Sequence, residues 1–349
     1  MTKRVIVGAR TERSLRPERE VPRPLEIGGK IVRNVGIEFP AQGQMAFYEL
    51  GAPPEVGPGQ ALLETLYSGI TNGTERHGLM ADHGFGGGYP GRHGYQHVCR
   101  VAEVGAGVDA LQVGDVLFLG LYVGHRGWHV VNAIPQPPLS VILPEGVDHG
   151  ACALLGVAGV ALRAVRRTRV GGGSRVWVCG LGPIGLFGAQ CARAVGARVT
   201  ASDVVDTRLS VARETGAHRV VDMRSADAWQ QVAEGGPYDV IFDGSGYERL
   251  FFDIFERGLL AHSGAIAAIA VRGEATFPWS MLHGTEAAIE VSCHFSADEL
   301  GCLLHFLQTG LLQIDPMVSH RVPVTEAPAI YATMRDDPRA LYGVIFDWS

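Results

Sequence analysis

Gly180, Gly182 and Gly185 form the pattern G-x-G-x-x-G directly after the apolar run Arg175-Val176-Trp177-Val178-Cys179 and directly before the helix-like segment Phe187-Gly188-Ala189-Gln190-Cys191-Ala192. The first glycine permits a tight strand-to-helix turn, the second lets backbone approach a diphosphate, and the third lets helix pack on strand. Pro183 and Ile184 lie inside the motif, where free N–H groups and the helix dipole favour an anionic phosphate. The chain holds 47 glycines in 349 residues, so a glycine triplet alone is a weak signal. Asp203 strengthens it, because it ends the next expected strand near the ~20-residue spacing of a carboxylate that bonds ribose hydroxyls. Such a carboxylate repels a 2′-phosphate, which favours NAD(H) over NADP(H). Arg208 is the competing signal, since a guanidinium there would grip a 2′-phosphate.

Strand and helix alternate around the motif. The segment ACALLGVAGVALRAV reads as helix, and RVWVC, RVTASD, RVVD, YDVIFD, GAIAAIAV and AAIEVSC read as about six strands of a doubly wound parallel sheet. From Gly36 to about Leu143 the texture differs. Short β-type runs separated by clusters such as ELGAPPEVGPG predict an irregular all-β domain with little helix. Residues 1–35 read as an extension lying on or off the main body.

Thirty Lys and Arg against 36 Asp and Glu give a formal charge of −6. A basic footprint for nucleic acid or anionic lipid is therefore missing, and a small-molecule partner is expected instead. Cys99, Cys152, Cys179, Cys191, Cys293 and Cys302 include no C-x-x-C pair, which predicts free cytoplasmic thiols rather than a disulfide framework. Arg10, Arg13 and Arg16 break the first apolar run, so no secretory signal is expected. The longest uncharged stretch is too short and too rich in glycine for a membrane span.

An irregular β region followed by a Rossmann region with Gly180-Leu181-Gly182-Pro183-Ile184-Gly185 resembles the medium-chain dehydrogenase/reductases. Gly57-Pro58-Gly59, Ser68-Gly69-Ile70, Val104-Gly105, Val113-Gly114-Asp115 and Asp243-Gly244-Ser245-Gly246 carry the likeness. It implies a GroES-like catalytic domain at 36–150 completed by 315–349, and an NAD-binding Rossmann domain at 151–314. The nicotinamide would lie in the cleft between them, with Ser245 among the cofactor contacts. A homodimer joined through the Rossmann domain is also implied, consistent with AAIEVSC as an apolar strand near the sheet edge.

Many members bind a catalytic zinc, and the positions of its ligands match Thr71, Tyr95, Gln96 and Val157 here. Neutral Thr, Tyr and Gln supply weak oxygens and Val supplies nothing, so the resemblance implies a zinc-free member. The segment from Ser68 to Arg76, with Gly94-Tyr95-Gln96, is similar to a branch containing the bacteriochlorophyllide dehydrogenases. Without metal, a side chain must handle the alcohol proton. The candidates are Tyr95, which replaces a zinc ligand; Thr71 beside it; Glu75, as base or in an ion pair with Arg76; and His97, as a relay. Seven of the thirteen histidines precede residue 150, and His93 with His97 is the one pair considered for a displaced metal site.

The reading that results is a zinc-independent, NAD(H)-dependent oxidoreductase interconverting a secondary alcohol and a ketone on a medium-sized or cyclic metabolite. The alternatives are reduction of an activated C=C bond with NAD(P)H, and a dinucleotide-binding protein without catalysis.

Overall fold

The computed structural model describes residues 34–82 and 88–349, with the backbone of two short strands, Leu25–Ile27 and Lys30–Val32. Most of the expected extension, and His83, lie outside the described residues. Six strands form one parallel sheet in the order Arg219–Asp222, Arg198–Asp203, Arg175–Cys179, Tyr238–Asp243, Leu260–Ala268, Ala288–Val291. Val176, Trp177, Val178, Ile241 and Phe242 are buried, since helices cover both faces of such a sheet. The connections run outward from Arg175–Cys179 in one direction and then return to its other side. Ligands of such sheets bind at that reversal, beyond the carboxyl ends of the strands.

A second sheet holds seven strands in the order His320–Pro323, Val344–Asp347, Gln60–Gly69, His97–Val104, Val116–Leu119, Ser140–Ile142, with Trp128–Asn132 also paired to Gln60–Gly69. Two of its strands therefore come from the end of the chain. The largest apolar cluster takes Val98 and Phe118 from this sheet, Val178 and Phe242 from the parallel one, and the helix Leu155–Arg167 between them. Continuous packing across both sheets fixes the two walls of the cleft relative to each other.

One helix corrects the all-β expectation for the first region: Asn72–Met80. Its sequence NGTERHGLM carries two glycines and no apolar stripe, so periodicity gives no signal. Tertiary contacts supply what propensity lacks. Glu75 Oε1 accepts the Thr71 N–H at 2.7 Å, satisfying a donor at the helix start, and Leu79 is buried beneath.

Candidate active site

A cavity of about 670 Å³ lies between the two sheets. Gly182, Pro183, Ile184, Gly185, Arg208 and Ser245 line it from the parallel-sheet side, and Thr71, Asn72, Thr74 and His77 line it from the helix Asn72–Met80. The glycine loop fits a dinucleotide on its own geometry. A Cβ at Gly185 would lie 1.9 Å from the Gly180 carbonyl oxygen, so helix and strand approach here only through glycine. A Cβ at Gly182 would meet nothing within 4 Å, which leaves the wall at the start of the helix Pro183–Ala194 open to a phosphate.

Asp203 does more than its spacing suggests. It is buried at the end of its strand, where Oδ2 accepts the Leu181 N–H at 2.6 Å and Oδ1 accepts the N–H groups of Val204 and Val205 at 2.7 and 3.0 Å. The carboxylate thus holds the glycine loop in shape. Arg208 Nη1 stands 4.0 Å from Asp203 Oδ2, while its Nη2 donates to the carbonyls of Arg339 and Leu341 at 3.5 and 3.4 Å. That guanidinium is anchored rather than swinging free.

At the other end, Gln96 is completely buried and both ends of its amide are bonded. Nε2 donates to the Gly69 carbonyl at 3.3 Å and to Thr71 Oγ1 at 3.2 Å, and Oε1 accepts the Val157 N–H at 2.8 Å. A Cβ at Gly156 would lie 2.6 Å from Gln96 Cγ, so that glycine makes room for the amide. Thr71 and Val157 line the cavity; Tyr95 does not. Tyr95 is nearly buried, bonds to Thr71, and packs against Tyr122 and His294. Burial pushes its phenol above the usual value.

These residues do not fit Zn²⁺, because a protonated phenol, a hydroxyl and an amide already engaged at both ends offer no charged donor. Among the described residues no group of three or more His, Cys, Asp or Glu side chains converges as a metal-holding set. His93 and His97 point to different partners, Nδ1 of His93 to Tyr122 Oη at 2.5 Å and Nε2 of His97 to the Gly124 carbonyl at 3.1 Å.

Glu75 and His97 stand apart from the cavity, which corrects their expected place on the cleft wall. Nor is Glu75 paired with Arg76, which bonds Asp82 at 2.9 Å instead. Glu75 Oε2 accepts His125 Nε2–H at 3.1 Å and Tyr331 Oη–H at 2.6 Å, and His125 Nδ1 meets Ser68 Oγ, which also accepts Trp348 Nε1–H, each at 2.9 Å. Burial alone would raise the Glu75 carboxyl, but His125, Tyr331 and the Thr71 N–H together lower it.

His97 is fully enclosed, with His129 at 4.6 Å and His125 at 5.8 Å between ring centroids. Burial holds its pKa down to about 3 from 6.5, which removes it as a proton carrier near neutrality. The depressed value has a stability consequence. Between pH 6.5 and 3 the unfolded chain binds a proton at His97 that the folded chain does not, so folding weakens as pH falls. From pH 7 to 5 the loss from this residue is about 2 kcal/mol. Urea unfolding of wild type and His97→Asn at both pH values should show the variant recovering that much; an identical acid loss would place its origin elsewhere.

Comparison with known proteins adds to this geometry. Residues 183–309 match the family described as zinc-binding dehydrogenase. An alcohol dehydrogenase of Rhizobium meliloti is 30% identical over 205 residues, covering 51% of this chain and 60% of that protein. Sorbitol dehydrogenase of Bos taurus is 28% identical over 202 residues, covering 55% of each. The acetophenone reductase of Geotrichum candidum, solved in complex with NAD, superposes with a TM-score of 0.75 over 90% of this chain and 97% of that one, at 18% identity. Over residues 183–309 the chain is thus similar to zinc-binding dehydrogenases, and the solved structure shares its fold. The chain spans little more than half the length of these curated relatives. The family match over 183–309 leaves out Thr71, Tyr95, Gln96 and Val157, so it bears on the nucleotide half and not on the metal.

Proposed function

We propose that the chain is an oxidoreductase that uses NAD(H) to interconvert a secondary alcohol and a ketone without zinc, as in the branch its Ser68–Arg76 segment resembles. The observation that carries this reading is Gln96. Its amide ties the end of one strand, the start of the cavity-lining helix and the helix Leu155–Arg167 together at the corner where a metal would otherwise do so. Thr71 Oγ1 accepts from Gln96 and lines the cavity, placed to hydrogen-bond an oxygen there, with Tyr95 behind it. Bound nicotinamide would supply or take the hydride, and the Thr71 hydroxyl, backed by the buried Tyr95, would hydrogen-bond and orient the substrate oxygen. Asp203 supports NAD(H), since its buried carboxylate, 4.0 Å from Arg208, offsets the attraction of that guanidinium for a 2′-phosphate of roughly −2 charge. A discrimination of about 3 kcal/mol corresponds to roughly a hundredfold.

The test is one preparation assayed three ways. Elemental analysis should find no stoichiometric zinc, NADH should bind roughly a hundredfold more tightly than NADPH, and a panel of cyclic and medium-sized secondary alcohols and ketones should include a substrate turned over in the presence of chelator. One zinc per chain with chelator-sensitive turnover overturns the metal reading. Equal affinities for the two cofactors overturn the role of Asp203.

The strand Ala288–Val291 closes one edge of the parallel sheet with Val291 64% exposed, which supports pairing of two copies along that edge. Light scattering at micromolar concentration should return twice the chain mass, and a single-chain mass removes the dimer.

A further inference from the structure

Eight buried side-chain nitrogen and oxygen atoms among the described residues have no hydrogen-bond partner. Three of them belong to residues that line the cavity described above: Asn72 Oδ1, Arg208 Nε and Arg272 Nε. A buried polar atom left unpaired destabilises the fold, and more so when the group is charged. Three such residues on the wall of one cavity point to a ligand that satisfies them. Arg208 belongs to the adenosine end already described. Arg272 has had no role so far, and nothing in its local sequence, Val271-Arg272-Gly273-Glu274, marks it.

Its position is set by Asp243. That residue ends the strand next to Arg175–Cys179, in register with Cys179, so its carboxylate stands where the order of the sheet reverses and Gly180 begins the glycine loop. Asp243 is completely buried. Oδ1 accepts the Ser245 N–H, the Ser245 hydroxyl and the Gly246 N–H at 3.2, 3.1 and 3.2 Å, and Oδ2 accepts Arg272 Nη2–H. The guanidinium carbon lies 5.4 Å from the ring centre of Phe251. One side of the guanidinium is therefore fixed by a buried carboxylate and an aromatic ring, while Nε faces no protein acceptor. A preorganised cation with a spare donor loses little freedom when it binds an oxyanion.

We propose that Arg272 binds the diphosphate of the dinucleotide, from the side of the cleft opposite the start of the helix Pro183–Ala194. This rests on the cofactor reading above. The reversal point beside Gly180 is where a diphosphate crosses such a sheet, and it is distinct from the Thr71–Val157 corner assigned to the substrate. The polarity of the unpaired atoms agrees: Arg272 Nε offers a donor to an oxyanion, whereas Asn72 Oδ1 is an acceptor and suits a ribose hydroxyl.

The full-length chain, as wild type and as Arg272→Gln, is titrated with NADH, with ADP-ribose and with adenosine. The glutamine variant should bind NADH and ADP-ribose roughly thirtyfold more weakly and adenosine within about twofold of wild type, and its affinity for ADP-ribose should fall less steeply with added salt. Unchanged ADP-ribose affinity overturns the proposal. So does a loss confined to NADH, which would put Arg272 against the nicotinamide half. Should the variant fail to fold, wild-type protein decides: phenylglyoxal labelling of Arg272, mapped by mass spectrometry, should slow at least roughly tenfold with ADP-ribose and not with adenosine. Labelling that ADP-ribose leaves unslowed overturns it. A wild type that binds none of these nucleotides overturns the cofactor reading and this proposal together, whereas a binding wild type matched by the glutamine variant overturns the proposal alone.

Discussion

Replacing Glu75 with alanine is expected to cost about 3–5 kcal/mol of folding stability, since each buried donor left unpaired costs about 1–3 kcal/mol. Glu75 is 1% exposed, and its loss would strand three donors at once: His125 Nε2–H, the Tyr331 hydroxyl and the Thr71 N–H. None can reach water without opening a core that also holds Phe346 and Trp348. Glu75→Gln should recover only part of this, because its NH₂ would face donors. Equilibrium urea unfolding of both variants is the measurement, and a cost below about 1 kcal/mol for the alanine would show that solvent enters and satisfies the stranded groups. A local effect on the site should accompany the global one. Thr71 is held by Glu75 through its backbone and by Gln96 through its hydroxyl, so losing the first tether lets the cavity-lining hydroxyl drift.

Gly185→Ala should abolish most nucleotide binding, with a loss of roughly a hundredfold or more in NADH affinity, equivalent to at least about 2.7 kcal/mol. The added methyl would meet the Gly180 carbonyl oxygen at 1.9 Å, and both sides of that contact are backbone. Neither a rotamer change nor a small shift relieves it; the start of the helix Pro183–Ala194 must move away from the strand Arg175–Cys179. Overpacking of this kind typically costs 1–3 kcal/mol of stability, so the folded protein should persist while the phosphate wall is lost. Fluorescence titration with NADH checks it, and an affinity within about threefold of wild type would mean that the loop is not the cofactor site.

What the sequence determined by itself is whatever depends on backbone chemistry over a few neighbouring residues. The glycine spacing, the strand before it and the helix after it obey local sterics, and the apolar runs that became the six parallel strands are periodic signals confined to one element. Asp203 was legible for the same reason, since strand, turn and helix place it at a fixed interval from the motif. Its bonds to Leu181, Val204 and Val205 were not, because they require the two loops to be side by side.

Tertiary structure decided the rest. Glu75 sits next to Arg76 in the chain yet bonds His125 and Tyr331, 50 and 256 residues away, because burial of its neighbourhood leaves those two donors within reach and sends Arg76 to Asp82. The helix Asn72–Met80 forms against its own propensity once Glu75 caps it and Leu79 packs under it. Gln96 bonds Val157 across 61 residues, and Arg272 reaches Asp243 across 29. A pattern within one segment is read from the segment. A hydrogen bond between distant segments exists only after the apolar core has chosen which of them meet, and the polar groups left inside must then pair with whatever the packing has brought near.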